Sequence, residues 1–127
     1  MTSHQPTQDT VVFKICHATA WAAAQASGVY VGSTDDARDG FIHFSTAAQV
    51  EGTLQKHFTG QDDLVLLAVP AAALAGVLRF EPARDGALFP HLYAPLPTAA
   101  VLWHAPIPLS ADGRHVIPVL ALPDVEA

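Results

Sequence analysis

The chain has 127 residues, half of them hydrophobic and only 14% charged, so it can bury a sizeable core and falls outside the disordered and fibrous classes. Its formal net charge is −6, and its six basic residues (Lys14, Lys56, Arg38, Arg79, Arg84, Arg114) are scattered, which argues against nucleic-acid backbones or anionic membranes as partners. The single cysteine, Cys16, excludes an internal disulfide and a multi-cysteine zinc site, and in its apolar context it reads as an inert core thiol.

Residues 1–10 are polar and carry no apolar signal-peptide region, so they read as a disordered N-terminus. Residues 11–122 read as one α+β domain and 123–127 as a C-terminal tail. No apolar run is long enough to span a bilayer, and a cytoplasmic protein is the expectation. Ten prolines and eight glycines cut the chain into short segments, favouring strands and loops over a helical bundle.

Val11 to His17 reads as the first strand. Thr19 is the expected N-cap of a helix over Ala20 to Ser27, with Trp21 and Ala24 inward and Gly28 as its stop. A short extended piece, Val29 to Val31, leads into a turn-rich loop from Gly32 to Gly40, in which Asp35, Asp36 and Asp39 look like turn formers. Phe41, Ile42 and Phe44 then form an apolar strand with His43 set in its middle. Thr46 and Gln49 have capping-box spacing, and the helix from Ala47 repeats Val50, Leu54 and Phe58 on one face. A strand ending at a helix start would aim free N–H groups at a cleft, where they favour carbonyls, carboxylates or phosphates.

Leu64 to Val69 is a continuous apolar run of strand length, expected inside a sheet. Pro70 opens a helical turn to Leu74, and Val77 to Glu81 alternates as a half-buried strand. After the loop from Pro82 to Leu88, Phe89 to Tyr93 reads as an aromatic loop containing His91. Ala99 to His104 is another strand, and His115 to Leu120 a last edge strand because Pro118 cannot donate to a ladder. The sum is α+β: two helices from the N-terminal half against a mixed or antiparallel split sheet of six or seven strands.

His17 ends the first strand, His43 sits mid-strand and His91 follows a proline in an aromatic loop, with Tyr30, Glu81 and Tyr93 at comparable places. Each histidine alone is satisfied by a core reading. Together they suggest one site suited to acid–base work or an anionic ligand, because imidazole changes charge near neutral pH. Glu81 could hold a hydroxyl or stabilise positive charge building on a sugar carbon. Trp21 is either core or a stacking platform. Three histidines also raise a metal, but no His-x-His, His-Glu-x-x-His or compact Asp/His cluster is present, and no metal ligands are assigned.

The segments Lys14-Ile-Cys-His17, Gly28-Val-Tyr30, Asp39-Gly-Phe-Ile-His-Phe-Ser45, Phe80-Glu81 and Phe89-Pro-His-Leu-Tyr93, with Trp21, Asp36 and Gln49, resemble the family catalogued as domain of unknown function 952, a group of small bacterial proteins. That family looks like a small member of the ADP-ribosylation fold, a split-sheet α+β architecture that holds NAD in a cleft. The resemblance implies an enzyme acting on NAD, ADP-ribose or a related small nucleotide, with NAD as substrate rather than bound cofactor. His17, His43 and Glu81 are then the catalytic candidates, and Trp21, Tyr30, Ser45, His91 and Tyr93 the ligand-binding ones. Ala18 stands where such enzymes have glycine, and the arginines of the RNA 2′-phosphotransferases that share the fold have no clear counterparts. Two other classes stay open: a binding module that senses a small anionic metabolite, and a metal-dependent hydrolase.

Overall fold

The structure, a computed structural model, describes residues 10–83 and 85–118. The readings for 1–9 and 119–127 lie outside the described residues. Thr10 is described, and its carbonyl accepts the Ala71 N–H at 2.8 Å.

The fold is α+β, with antiparallel strand pairs throughout the described residues. β1 (Val11–His17), β4 (Leu64–Pro70) and β8 (Trp103–Ile107) form one sheet in the order β1-β4-β8. β4 is its centre, and Leu64 to Val69 are all buried, as a continuous apolar run demands. A second sheet joins β3 (Ile42–His43), β6 (Leu88–Leu92) and β5 (Leu78–Pro82) in the order β3-β6-β5. A two-residue ladder pairs β2 (Val29–Tyr30) with β7 (Leu96–Pro97). Among the described residues, eight strands in three small sheets thus replace the expected single split sheet of six or seven.

Alternation along β1 divides the interior. Phe13 and Ile15 pack with Leu64, Leu66, Ala68 and Ile107 on the face covered by Val50 and Leu54. Val12 and Cys16 face the other way, with Val65, Leu67 and Val69, toward Ile42, Phe44 and Leu92 of the second sheet. Lys14 shares the side of Val12 and Cys16, so its ammonium is carried into the space between the sheets.

Among the described residues three α-helices are present rather than two: α1 (Ala18–Ser27), α2 (Thr34–Asp39) and α3 (Val50–His57), the last preceded by a 3₁₀ turn at Ala47–Gln49. α1 begins one residue before Thr19, with His17 at the N-cap. Its end is as expected: Gly28 adopts a left-handed conformation and donates to Ala24 O at 2.7 Å. α2 occupies the supposed loop. Ser33 and Asp36 close a capping box, with Ser33 N–H on Asp36 Oδ2 at 2.8 Å and Asp36 N–H on Ser33 Oγ at 3.2 Å.

Phe89–Tyr93 is no loop; most of it is β6, the middle strand of its sheet. Pro90 has no N–H to give, but its carbonyl accepts from Phe44 N–H at 2.9 Å, so the ladder tolerates it. The strand expected at Ala99–His104 starts later, after a 3₁₀ turn at Thr98–Ala100. Of the expected last strand, the described part shows one bridge, Leu109 to His115.

Candidate functional site

The second sheet sets the geometry of the site. Ile42, Leu92 and Leu78 form one cross-strand row, and the next row is His43, His91 and Arg79. Adjacent rows point to opposite faces, so the apolar row meets the core and the basic row faces outward. Glu81 shares the outer face of β5 with Arg79, and Phe41 and Tyr93 flank the same face.

His91 is held from two directions. Its Nδ1 lies 2.7 Å from Glu81 Oε1, and its ring stacks on Phe41 with centroids 3.9 Å apart and planes 21° from parallel. Glu81 Oε1 also accepts the Tyr93 hydroxyl at 2.7 Å. The Tyr93 bond, followed by the His91 bond, holds the Glu81 carboxyl below its ordinary range, and in return Glu81 raises the Tyr93 phenol. A carboxylate only accepts, so Nδ1 carries the proton and Nε2 carries the lone pair of the neutral ring. Among the described residues nothing bonds that Nε2.

His43 is bound differently. Asp36 Oδ1 accepts its Nδ1–H at 2.6 Å and its backbone N–H at 3.1 Å, while Asp39 Oδ2 lies 2.9 Å from Nε2. Both ring nitrogens therefore face carboxylates. The other Asp36 oxygen takes Lys14 Nζ at 2.9 Å and the Ser33 N–H. Burial would push the Asp36 carboxyl up; the His43 bond and the Lys14 ammonium outweigh it and hold the group far below the usual carboxylate range. Asp36 is therefore a buried anchor and not a turn former. Asp39 is the turn-end carboxylate that Arg38 and His43 share.

Two of the three histidines thus meet: the His43 and His91 ring centroids are 5.8 Å apart, both against Phe41. His17 does not join them. It closes β1 opposite Leu64, and its Nε2 bonds Gln61 Oε1 at 2.9 Å beside the Phe58 ring. The strand direction carries it away, because the point where β1 touches the His43 segment is the Phe13–Ser45 bridge. Trp21 and Tyr30 are core residues, 5% and 2% exposed, and neither can stack on a ligand as placed. Their Nε1 and hydroxyl atoms have no protein partner, and burial, aided by Cys16 and Asp36, pushes the Tyr30 phenol up. Ser45 is also buried, with Oγ 2.9 Å from Thr53 Oγ1. The helix start beside it is self-capped: Gln49 Oε1 accepts the Thr46 N–H at 2.9 Å.

Among the described residues no three His, Cys, Asp or Glu side chains are arranged to hold a metal. A separate hollow between α3 and the 109–117 hairpin is lined by Glu51, Leu54, Gln55, Arg114 and His115, away from the histidine row. Sequence reasoning missed Asp36, Lys14 and Phe41. The Ser33-x-x-Asp36 spacing and a lysine on the apolar side of β1 were the available signals for the first two.

The family model for proteins of unknown function, DUF952, matches residues 15–104. The chain belongs to that family. Its fold is that of CC0527 from Caulobacter crescentus: the crystal structure is 46% identical, covering 84% of this chain and 93% of that one with a TM-score of 0.80. A double mutant of CC0527 gives 45% identity, the same coverage and the same TM-score. The solution structure of CC0527 gives 46% identity, 82% and 90% coverage and a TM-score of 0.75. No curated protein matches the chain. Among the described residues no helix is long and apolar enough to cross a membrane.

Proposed function

We propose that the outer face of the β3-β6-β5 sheet binds a small anionic nucleotide of the NAD or ADP-ribose class and does acid–base chemistry on it through His91. The observation that carries the reading is the Glu81–His91 pair. An ionised carboxylate fixes the imidazole tautomer and Phe41 fixes the ring plane, and Nε2 of this largely buried ring, without a partner among the described residues, is the atom to take a proton from a ligand hydroxyl or an acceptor water. In this reading Glu81 is a positioning residue acting through His91, and His43 is the cross-strand neighbour of His91 on the same row, held by Asp36 and Asp39. His17 has no part in it. The resemblance to the ADP-ribosylation fold supplies NAD and ADP-ribose as the first ligands to test.

The test is an NMR titration of the ¹⁵N-labelled imidazoles with NAD and ADP-ribose, together with an assay for nicotinamide released from NAD. The expected result is a saturable shift of the His91 nitrogens, and nicotinamide release that His91→Gln abolishes. No His91 shift with either ligand overturns the proposal. A second reading is binding without turnover, favoured by the openness of the face, where the His43 side chain keeps 38% of its exposure and water is not excluded. Shifts at His91 with no nicotinamide release would select it.

A further inference from the structure

Building on that proposed site, we infer that Arg79 is its specificity residue, taking the phosphate of a sugar phosphate and so placing the adjoining sugar over His91. Arg79 is the direct cross-strand partner of His91 on the outward row. The other described arginines each face an aspartate: Arg38 lies 3.1 Å from Asp35 and 3.0 Å from Asp39, and Arg114 lies 3.9 Å from Asp112. Arg79 has no carboxylate within ion-pair distance among the described residues, and its guanidinium carbon sits 5.4 Å from the centre of the Tyr93 ring. A guanidinium resting on an aromatic face is held in plane, with its N–H edge free for the paired oxygens of a phosphate.

The row across the three strands runs His43, His91, Arg79, with Arg79 at its far end. Glu81 is tied by hydrogen bonds to His91 and Tyr93, so although its charge acts on Arg79 it forms no ion pair with it, and the guanidinium keeps its N–H groups for a ligand. Neighbouring strands stand about 4.8 Å apart. A phosphate on Arg79 therefore brings the next group of the ligand to His91 Nε2, and a phosphate attached directly to a sugar meets that spacing where a lone anion does not.

Calorimetric titration of wild type, Arg79→Gln and Arg79→Lys with ADP-ribose, ribose 5-phosphate and adenosine tests this, with the His91 imidazole shift read in parallel. Arg79→Gln should weaken both phosphate-bearing ligands at least tenfold. Arg79→Lys should recover part of the loss, and adenosine should bind wild type far more weakly than ADP-ribose. An unchanged His91 spectrum in the free variant would show that the site itself is intact. Equal affinities for Arg79→Gln and wild type, with His91 still shifting, overturn the role of Arg79 and leave the His91 site standing. No His91 shift in wild type with any of the three ligands overturns both.

Discussion

Replacing Asp36 with asparagine tests the buried charge network directly. Asp36 accepts four hydrogen bonds, from Lys14 Nζ, the Ser33 N–H, the His43 N–H and His43 Nδ1, while its side chain is only 2% exposed. Asparagine keeps one acceptor oxygen and sets an NH₂ group against the donors that faced the other. Lys14, with its side chain 6% exposed, would be left as a buried ammonium without a counter-charge. Breaking a buried pair from one side costs about 3–5 kcal/mol, out of a total near 5–15 kcal/mol for a domain. A Tm lower by roughly 10–20 °C follows for a chain of this size. The pH dependence carries the sign. A carboxyl held low in the folded state stabilises the protein fully above its unfolded pKa of about 3.9, and that contribution is lost as pH falls further toward the folded value. The gap between wild type and Asp36→Asn in urea melts should therefore be widest near pH 7 and shrink below about pH 4. A gap under about 1 kcal/mol at pH 7, or one that widens in acid, would refute the assignment of Asp36 as an ionised anchor.

Two further outcomes follow from the same packing. Gly32 has φ +105°, and a Cβ there would stand 2.8 Å from Asp36 Cβ, whereas Gly28 has φ +92° and open space around it. Gly28→Ala should cost about 1 kcal/mol of backbone strain, and Gly32→Ala should cost more in the same urea melts because it also pushes on Asp36; equal losses would sink that reasoning. The Cys16 thiol is pushed up to about 11 by burial, with Asp36 adding and Lys14 opposing. At pH 8 it should react with a disulfide reagent in denaturant and stay protected in the native protein, and its contribution to stability should fade as pH rises from about 8.5 toward 11.

What the sequence made legible was local. The Thr46–Gln49 capping box, the Gly28 stop and the buried run Leu64–Val69 each rest on spacings within one segment, and each matches the structure. The readings that went astray needed partners far along the chain. Asp36 looks like its neighbours Asp35 and Asp39 until Lys14, 22 residues earlier, is seen to reach it from the inner side of β1. His17, His43 and His91 look alike as strand-associated histidines. Antiparallel pairing of β1 with β4 sends His17 to the Leu64 end, while β3 pairing with β6 sets His43 opposite His91. Pro90 masked β6 because a proline in a central strand argues against one, and only the Phe44 N–H bond to its carbonyl explains why this position accepts it.

The pairing of His43 with His91 also sets two unlike imidazoles side by side. Both rings touch Phe41 and stand opposite each other across two strands, so by position they are equivalent. Their partners make them unlike. Asp36 and Asp39 face both His43 nitrogens, and those carboxylates are themselves tied to Lys14 and Arg38. Glu81 faces one nitrogen of His91, and among the described residues the other has no partner. The difference arises because α2 delivers two carboxylates, Asp36 and Asp39, to one imidazole, while β5 delivers a single carboxylate, Glu81, to the other.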